Sequence, residues 1–456
     1  MIPILPAPES LPADSGRLRR LWQAFRSPIP EERLRLNARR REELPAAVRG
    51  PQQVAGVAHH SCGATYGVME RCDFACTSCY LAAEANATPP LEEAEVYRQL
   101  DALRAFLGPQ GKAQITSGEV TLLPRESLGR YVSYAKAIGL DPMVMTHGQR
   151  FLRQPDYLSA LVREHGLEKI SIHVDVTQRG REGWRPGLRE ADLHPLRARY
   201  AGLIRSVRAE TGRTLHAAHT VTVTEQNLGD VAEVTRWVAD HADAFRMVSF
   251  QPVAEVGRTQ DRWNGDLTLD SVWSRICDGL GQALNRRAML FGHPECHIVA
   301  PLVLLTAGRR RTVLETARAG RRWDAGYLER LMRVIGGFSV RGRSRGETAI
   351  GFLSLCLRHP ILLAESLAYS LYRTWGLRAW LVGACREILR GGRLSIRPLA
   401  IVVHKFMSPD ELGTAIGRER LAACTFQVPV GDRMLPMCEL NATGLRRRLN
   451  DRLRAS

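Results

Sequence analysis

Three cysteines lie close together in ERCDFACTSCYLA (70–82), at Cys72, Cys76 and Cys79. A gap of three residues and then one of two puts three thiolates on one short loop. Cysteine sulfur is the ligand that iron–sulfur clusters take. Three such sulfurs can hold three corners of a cubane and leave its fourth iron open to another ligand. Zinc is the alternative, because a zinc site normally takes a fourth protein ligand, and His59, His60 or Cys62 just upstream could supply one. The chain has 10 cysteines. In a protein of the cytoplasm, cysteines at such spacing read as metal or redox groups before disulfides.

The elements that must position this loop are strands alternating with helices. ATYGVM (64–69) reads as a strand and runs into the cysteine loop; EEAEVYRQLDALRAFLG (92–108) has helical periodicity and ends at a glycine. Further strands are expected at KAQIT (112–116), PMVMT (142–146), KISIHV (169–174), TLHAAHTVTV (214–223) and RMVSFQPV (246–253), with helical patterns between them. Six such units predict an α/β fold with a parallel sheet, in which the loops leaving the C-terminal strand ends build the site. The chain divides into a basic N-terminal arm (1–55), this core (56–260), a linking region that completes it (261–345), an apolar helical region (346–395) and a cysteine-containing tail (396–456).

On these residues the sequence resembles the radical S-adenosylmethionine (SAM) superfamily. The spacing is that family's CxxxCxxC motif, on the loop after the first strand. TSGEVTLLP (116–124), after the second strand, resembles the family's Gly-Gly-Glu-Pro loop, with Ser117, Gly118 and Glu119 in register and Val120 in place of the proline. The aromatic residue that often precedes the last cysteine is replaced by Ser78, and Tyr80 follows instead. The resemblance implies a partial (β/α)6 TIM-type barrel holding a four-iron, four-sulfur (4Fe–4S) cluster on Cys72, Cys76 and Cys79. It also implies SAM on the open iron and reductive cleavage of SAM to a 5′-deoxyadenosyl radical that abstracts hydrogen from a substrate. The SAM-binding candidates are Tyr80, Ser117, Gly118, Glu119, Ser171, His173, Asp175 and Gln251, with Glu255 and the polar strand end MTHG (145–148) nearby. No catalytic residue beyond these is singled out. A one-electron donor of the flavodoxin or ferredoxin type is implied as a partner.

Four cysteines outside the motif, Cys62, Cys296, Cys424 and Cys438, are candidates for a second iron–sulfur cluster, with ordinary buried thiols as the alternative. A hairpin turning at Val430-Gly431-Asp432 would bring Cys424 and Cys438 together. GHPECH (292–297) and LPMCELN (435–441) also resemble the superfamily branch that contains tetraether-lipid synthases and pterin-modifying methyltransferase-like enzymes. The N-terminal cysteine pairs of those synthases are absent.

Lys plus Arg number 64 against 47 Asp plus Glu, a net charge of +17. Such a balance favours anionic partners, but the basic residues are scattered and no nucleic-acid-binding motif accompanies them. Residues 351–389 form the most apolar stretch. On a helical wheel Ser354, Arg358, Glu365, Ser366, Ser370 and Arg373 share about one half. Either a buried helical hairpin or an interfacial membrane helix fits that pattern. The opening MIPILPAPES has no basic leader and no stretch reaches the ~20 apolar residues of a membrane span. The expected location is the cytoplasm, with peripheral contact to the cytoplasmic face of a membrane. The substrate is then a lipid or another hydrophobic small molecule. A peptide- or heterocycle-modifying enzyme of the same superfamily, or a non-enzymatic iron–sulfur or zinc protein with an anionic partner, are the alternatives.

Overall fold

The computed structural model of the chain describes residues 16–455, apart from 262–264, 266, 309, 317, 319–320 and 340–342. Residues 1–15, on which the leader reading falls, lie outside the described residues, as does part of the linking region. Two helices, α1 (Arg17–Arg26) and α2 (Glu31–Glu43), open the described chain. Six parallel strands follow in chain order: β1 (Cys62–Ala64), β2 (Lys112–Ile115), β3 (Asp141–Thr146), β4 (Lys169–His173), β5 (His216–Val223) and β6 (Phe245–Pro252). Between them run α3 (Glu93–Leu107), α4 (Arg125–Ala137), α5 (Gln149–Arg153), α6 (Pro155–Arg163), α7 (His194–Thr211) and α8 (Val231–Asp240), with α9 (Leu269–Leu280) after β6.

The first strand begins earlier and is shorter than 64–69. At Tyr66 the backbone is satisfied by side chains and not by a neighbouring strand. Gln99 Oε1 accepts from Tyr66 N (3.0 Å) and Arg446 Nη1 donates to Tyr66 O (2.7 Å). The sheet is also larger than six strands. After β6, β7 (His297–Ala307) and β8 (Arg310–Glu315) form an antiparallel pair, and β9 (Leu394–His404) runs between β6 and β7. On the other flank β10 (Phe426–Val430) lies parallel to β1 and turns through Gly431-Asp432 into β11 (Arg433–Pro436). The linking region and the tail therefore hydrogen-bond into the same sheet as the core.

This sheet curls. The loop after β6 meets the loop after β1, where Arg258 N donates to Cys79 O (3.0 Å) and Gln260 N to Thr77 O (2.6 Å). The two flanks also touch: the His404 ring of β9 stands edge-on to Phe426 of β10, with centroids 5.5 Å apart. Among the described residues β8 and β11 do not pair, so the architecture is α/β with a curled half-barrel sheet of eleven strands.

Alternation along the strands gives the curl two faces. Val144, Ile172, Val248, Phe250 and Ile401 are fully buried on one of them. Met143, Met145, His173, Ser249 and Gln251, on the other, are half-buried and line an accessible concave face. Between β8 and β9 lie α10 (Arg322–Ile335), α11 (Arg345–Arg358), α12 (Pro360–Gly376) and α13 (Arg378–Leu389). Pro360 sits at the start of α12, where its missing amide hydrogen is not needed. No single helix among the described residues is long and apolar enough to cross a membrane; α11 and α12 would pass that test jointly but bend by 101°.

Candidate functional site

The cysteine loop is held by backbone contacts from two other strand ends. Ala75 N donates to Arg179 O (2.7 Å) and Thr77 N to Thr177 O (2.9 Å), both in the loop after β4. Cys79 O accepts from Arg258 N, and Cys72 N donates to Asn86 Oδ1 (3.0 Å). Two glycines make this approach feasible. A Cβ on Gly118 (φ +60°) would lie 2.0 Å from Met69 O, and one on Gly257 (φ +62°) would lie 2.3 Å from the carbonyl carbon of Tyr80. Close approach at Gly118 thus serves the cysteine loop. Gly257→Ala must shift that loop, and φ > 0 adds strain. We expect it to lose about 2 kcal/mol in stability, measured by chemical denaturation; unchanged stability would remove this packing role.

Cys72, Cys76 and Cys79 are half-buried and free. Burial pushes the Cys72 thiol up to about 12, with Glu119, Cys79 and Asp73 adding to the shift. Burial also pushes Cys76 well above its ordinary value, and Cys79, Asp175 and Cys72 raise it further. Cys72 and Cys76 are therefore costly to ionise without a cation nearby. Arg258 is beside all three: burial would lower its pKa, but Cys79, Cys72 and Cys76 raise it. Its Nη2 donates to Phe74 O (3.0 Å), while Nε is buried with no hydrogen-bond partner. Three thiols and an orphaned guanidinium nitrogen fit an anionic thiolate cluster, whose charge the arginine would balance.

Next to Cys72 is a histidine of defined tautomer. Gln149 N donates to His147 Nδ1 (3.1 Å), so Nε2 carries the proton and donates to Asp73 Oδ1 (2.7 Å). The ring stacks on Phe74 at 3.8 Å, and the Arg181 guanidinium lies 5.0 Å from the Phe74 ring centre. Ligand atoms of Cys72, Asp73 and His147 all lie within 4.8 Å of one another. That trio could hold a metal only after Nε2 gave up its proton.

The structure sorts the residues expected to bind SAM. Glu119 is buried and its carboxylate is taken up by the protein: Oε1 accepts from Thr121 N (3.1 Å), Thr121 Oγ1 (2.5 Å) and Thr146 Oγ1 (2.6 Å), and Oε2 from His147 N (2.8 Å). Its place is to orient the strand ends, not to face the cavity. Ser117 is likewise buried and turned away, donating to Glu70 and accepting from Arg446 Nη1 (3.1 Å). Asp175 falls past the end of β4 and is fully buried, so it does not share the accessible face with His173. Burial alone would raise its pKa, but the His173 charge and hydrogen bonds from His173, Thr177 and Thr222 hold it well below the usual carboxylate range.

Ser171 Oγ is paired with Thr220 Oγ1 (2.8 Å). His173 Nε2 meets Asp175 Oδ2 (2.5 Å) and stays partly exposed, as does Gln251. Tyr80 lies under the Arg446 guanidinium, 5.1 Å from its ring centre. Glu255 N donates to Ser408 Oγ (3.0 Å). Arg258, Asp73 and Phe74 were not singled out from the sequence. The signal available for Arg258 was its position directly after Gly257, at the end of the sixth strand unit.

A second group of thiols lies where the flanks of the curl meet. Cys296 precedes β7, Cys424 precedes β10, and Cys438 follows β11. Burial pushes Cys424 up to about 12, with Cys296 next among the causes; burial raises Cys438 too, followed by Cys424 and Cys296. Each sulfur accepts a hydrogen bond: from Arg420 Nε to Cys296 (3.2 Å), Phe426 N to Cys424 (3.4 Å) and Met407 N to Cys438 (3.4 Å). Cys62, expected as a fourth member, sits on β1 with Lys112 as its charged neighbour. His60, the candidate zinc ligand, packs edge-on against Phe106 at 4.6 Å.

No protein-family model matches the chain. It is similar to an enzyme of Methanocaldococcus jannaschii named 7,8-dihydro-6-hydroxymethylpterin dimethyltransferase, with 26% identity over 205 residues. The match covers 44% of this chain and 38% of that enzyme's length.

Proposed function

We propose that the chain is a radical SAM enzyme, with a 4Fe–4S cluster on Cys72, Cys76 and Cys79 at the mouth of a radical SAM-type partial barrel. The observation that carries this reading is the trio of half-buried, free thiols on one loop beside the buried Nε of Arg258, which has no hydrogen-bond partner. Similarity to a named pterin dimethyltransferase supports it from a separate direction. When bound, the cluster and SAM supply one-electron cleavage of the sulfonium and a carbon radical able to abstract hydrogen.

The chain's own residues do the rest. Arg258 offsets negative charge at the sulfurs, and the loops after β4 and β6 fix their spacing. Glu119 holds the ends of β2 and β3 together, so that Gly118 abuts the cysteine loop. Tyr80, His173 and Gln251 keep some exposure and are the candidates to contact SAM. Ser117, Ser171 and Asp175 act through their neighbours. Cys296, Cys424 and Cys438 fit a second cluster, their three N–H···S hydrogen bonds being of the kind that tunes cluster potential.

The substrate is proposed as a hydrophobic small molecule reaching the half-barrel's concave face, and a flavodoxin- or ferredoxin-type protein as the electron donor. We expect anaerobically reconstituted protein to be brown and, once reduced with dithionite, to convert SAM to 5′-deoxyadenosine and methionine, quantified by liquid chromatography. A colourless protein that retains zinc after reconstitution, or a brown one that leaves SAM intact, would reject the assignment.

A further inference from the structure

Helices α11 to α13 are turned inside out for a surface exposed to water. On α12 the polar side chains face the protein: Glu365 accepts from Arg330 Nε (3.0 Å), Ser366 Oγ pairs with Tyr327 Oη (3.0 Å), and Arg373 bonds Glu315 O. Tyr369 is buried, stacked on Tyr327 at 4.2 Å. The opposite face carries Ile361, Leu367, Leu371 and Trp375, which are 83%, 62%, 73% and 70% exposed. Helix α11 repeats the pattern. Ser354 is buried, with its hydroxyl on Phe25 O (2.6 Å), while Phe352, Leu353 and Leu357 are outside. Helix α1 lies against α11, joined through Arg20 and Glu347, and exposes Leu18 and Trp22. A water-facing helix places its apolar stripe against the core, and contiguous exposed patches of this extent mark an interaction surface.

Charge selects the occupant. Residues 345–393 contain seven arginines and three glutamates. Each glutamate is paired: Glu347 with Arg20, Glu365 with Arg330 and Glu387 with Arg390. Arg378 lies 5.4 Å from the ring centre of the exposed Trp375, and Arg386, Arg390 and Arg393 are exposed nearby in sequence. Leucines, a tryptophan and surplus arginines on bent amphipathic helices are the composition of an interfacial membrane surface. The 101° bend between α11 and α12 suits helices lying on a bilayer better than a span through it.

We propose that the outer face of α11–α13, extended by α1, docks on an anionic lipid bilayer. This rests on the surface alone and does not depend on the SAM chemistry. The test is co-sedimentation of the full chain with phosphatidylcholine vesicles, with and without phosphatidylglycerol. The expected result is strong pelleting with the mixed vesicles and weak pelleting with neutral ones. Leu371→Glu combined with Trp375→Glu should cut the bound fraction at least about tenfold, because each removes a large apolar side chain from hydrocarbon. Circular dichroism and thermal unfolding of that variant should match the parent, since both residues are exposed. Failure to pellet with either composition, equal pelleting with both, or a dimer in solution dissolved by the same substitutions would overturn the proposal.

Discussion

If the proposed radical SAM chemistry holds, replacing Cys76 with alanine is expected to abolish 5′-deoxyadenosine formation while leaving the protein folded. Burial pushes the Cys76 thiol well above its ordinary value, and Cys79 and Cys72 raise it further. Two sulfurs cannot hold a cubane against solvent, so the variant should lose about four irons per chain. The fall in SAM cleavage should exceed roughly a thousandfold, because on this reading the lost cluster is the one that passes the electron to the sulfonium. Iron assay, visible absorption and product chromatography measure the three effects. The same variant reports on the second thiol group: if Cys296, Cys424 and Cys438 hold a cluster, residual iron and a brown colour persist in Cys76→Ala and vanish when Cys424→Ala is added. A Cys76→Ala protein that still cleaves SAM would refute the assigned ligand set. If Asp73 or His147 instead completes a site with Cys72, the metal retained in Cys76→Ala should be lost on adding His147→Ala.

The six parallel strands were readable, and the cysteine loop could be singled out, because both signals are local. A CxxxCxxC spacing needs no knowledge of distant residues, and strand–helix alternation repeats a short period. What the sequence concealed was pairing across long separations. Nothing in FQVPV or SIRPLAIVV marks the first as a neighbour of β1 and the second as a neighbour of β6, because β-branched runs have no address. Glu119 matched a family motif, yet its lone pairs are claimed by Thr121, Thr146 and His147, residues whose proximity only the fold creates. Strict alternation would put Asp175 on the face of His173, but the strand ends before it. The apolar helices show a different limit. Their polar and apolar halves were legible on a wheel, but which half faces the protein was not. Periodicity gives the stripe and leaves its direction to whatever lies outside.

The largest stability effect is expected from Arg446→Met. Arg446 is one of three consecutive arginines in the C-terminal helix Leu445–Ala455, and the sequence gives no reason to prefer it over Arg447 or Arg448, which are partly or fully exposed. In the fold it enters the core. Its Nη1 donates to Glu70 Oε1 (2.7 Å), Tyr66 O (2.7 Å) and Ser117 Oγ (3.1 Å), and its plane covers Tyr80. Both charged side chains are nearly water-free, at 4% and 2% exposed. Removing one partner of such a pair strands the other charge, at a cost of about 3–5 kcal/mol. Glu70 would keep only Ser117 and Asn450 as donors. Adding Glu70→Gln to Arg446→Met should therefore recover part of the loss, and the double-mutant cycle isolates the coupling. Because Glu70 lies two residues before Cys72, and Tyr80 one after Cys79, the single variant should also load less iron, even at temperatures where it remains folded. A loss below about 1 kcal/mol, the range of exposed ion pairs, would mean that the C-terminal helix does not lock the cysteine loop, and that the loop is held by its contacts with the strand ends alone.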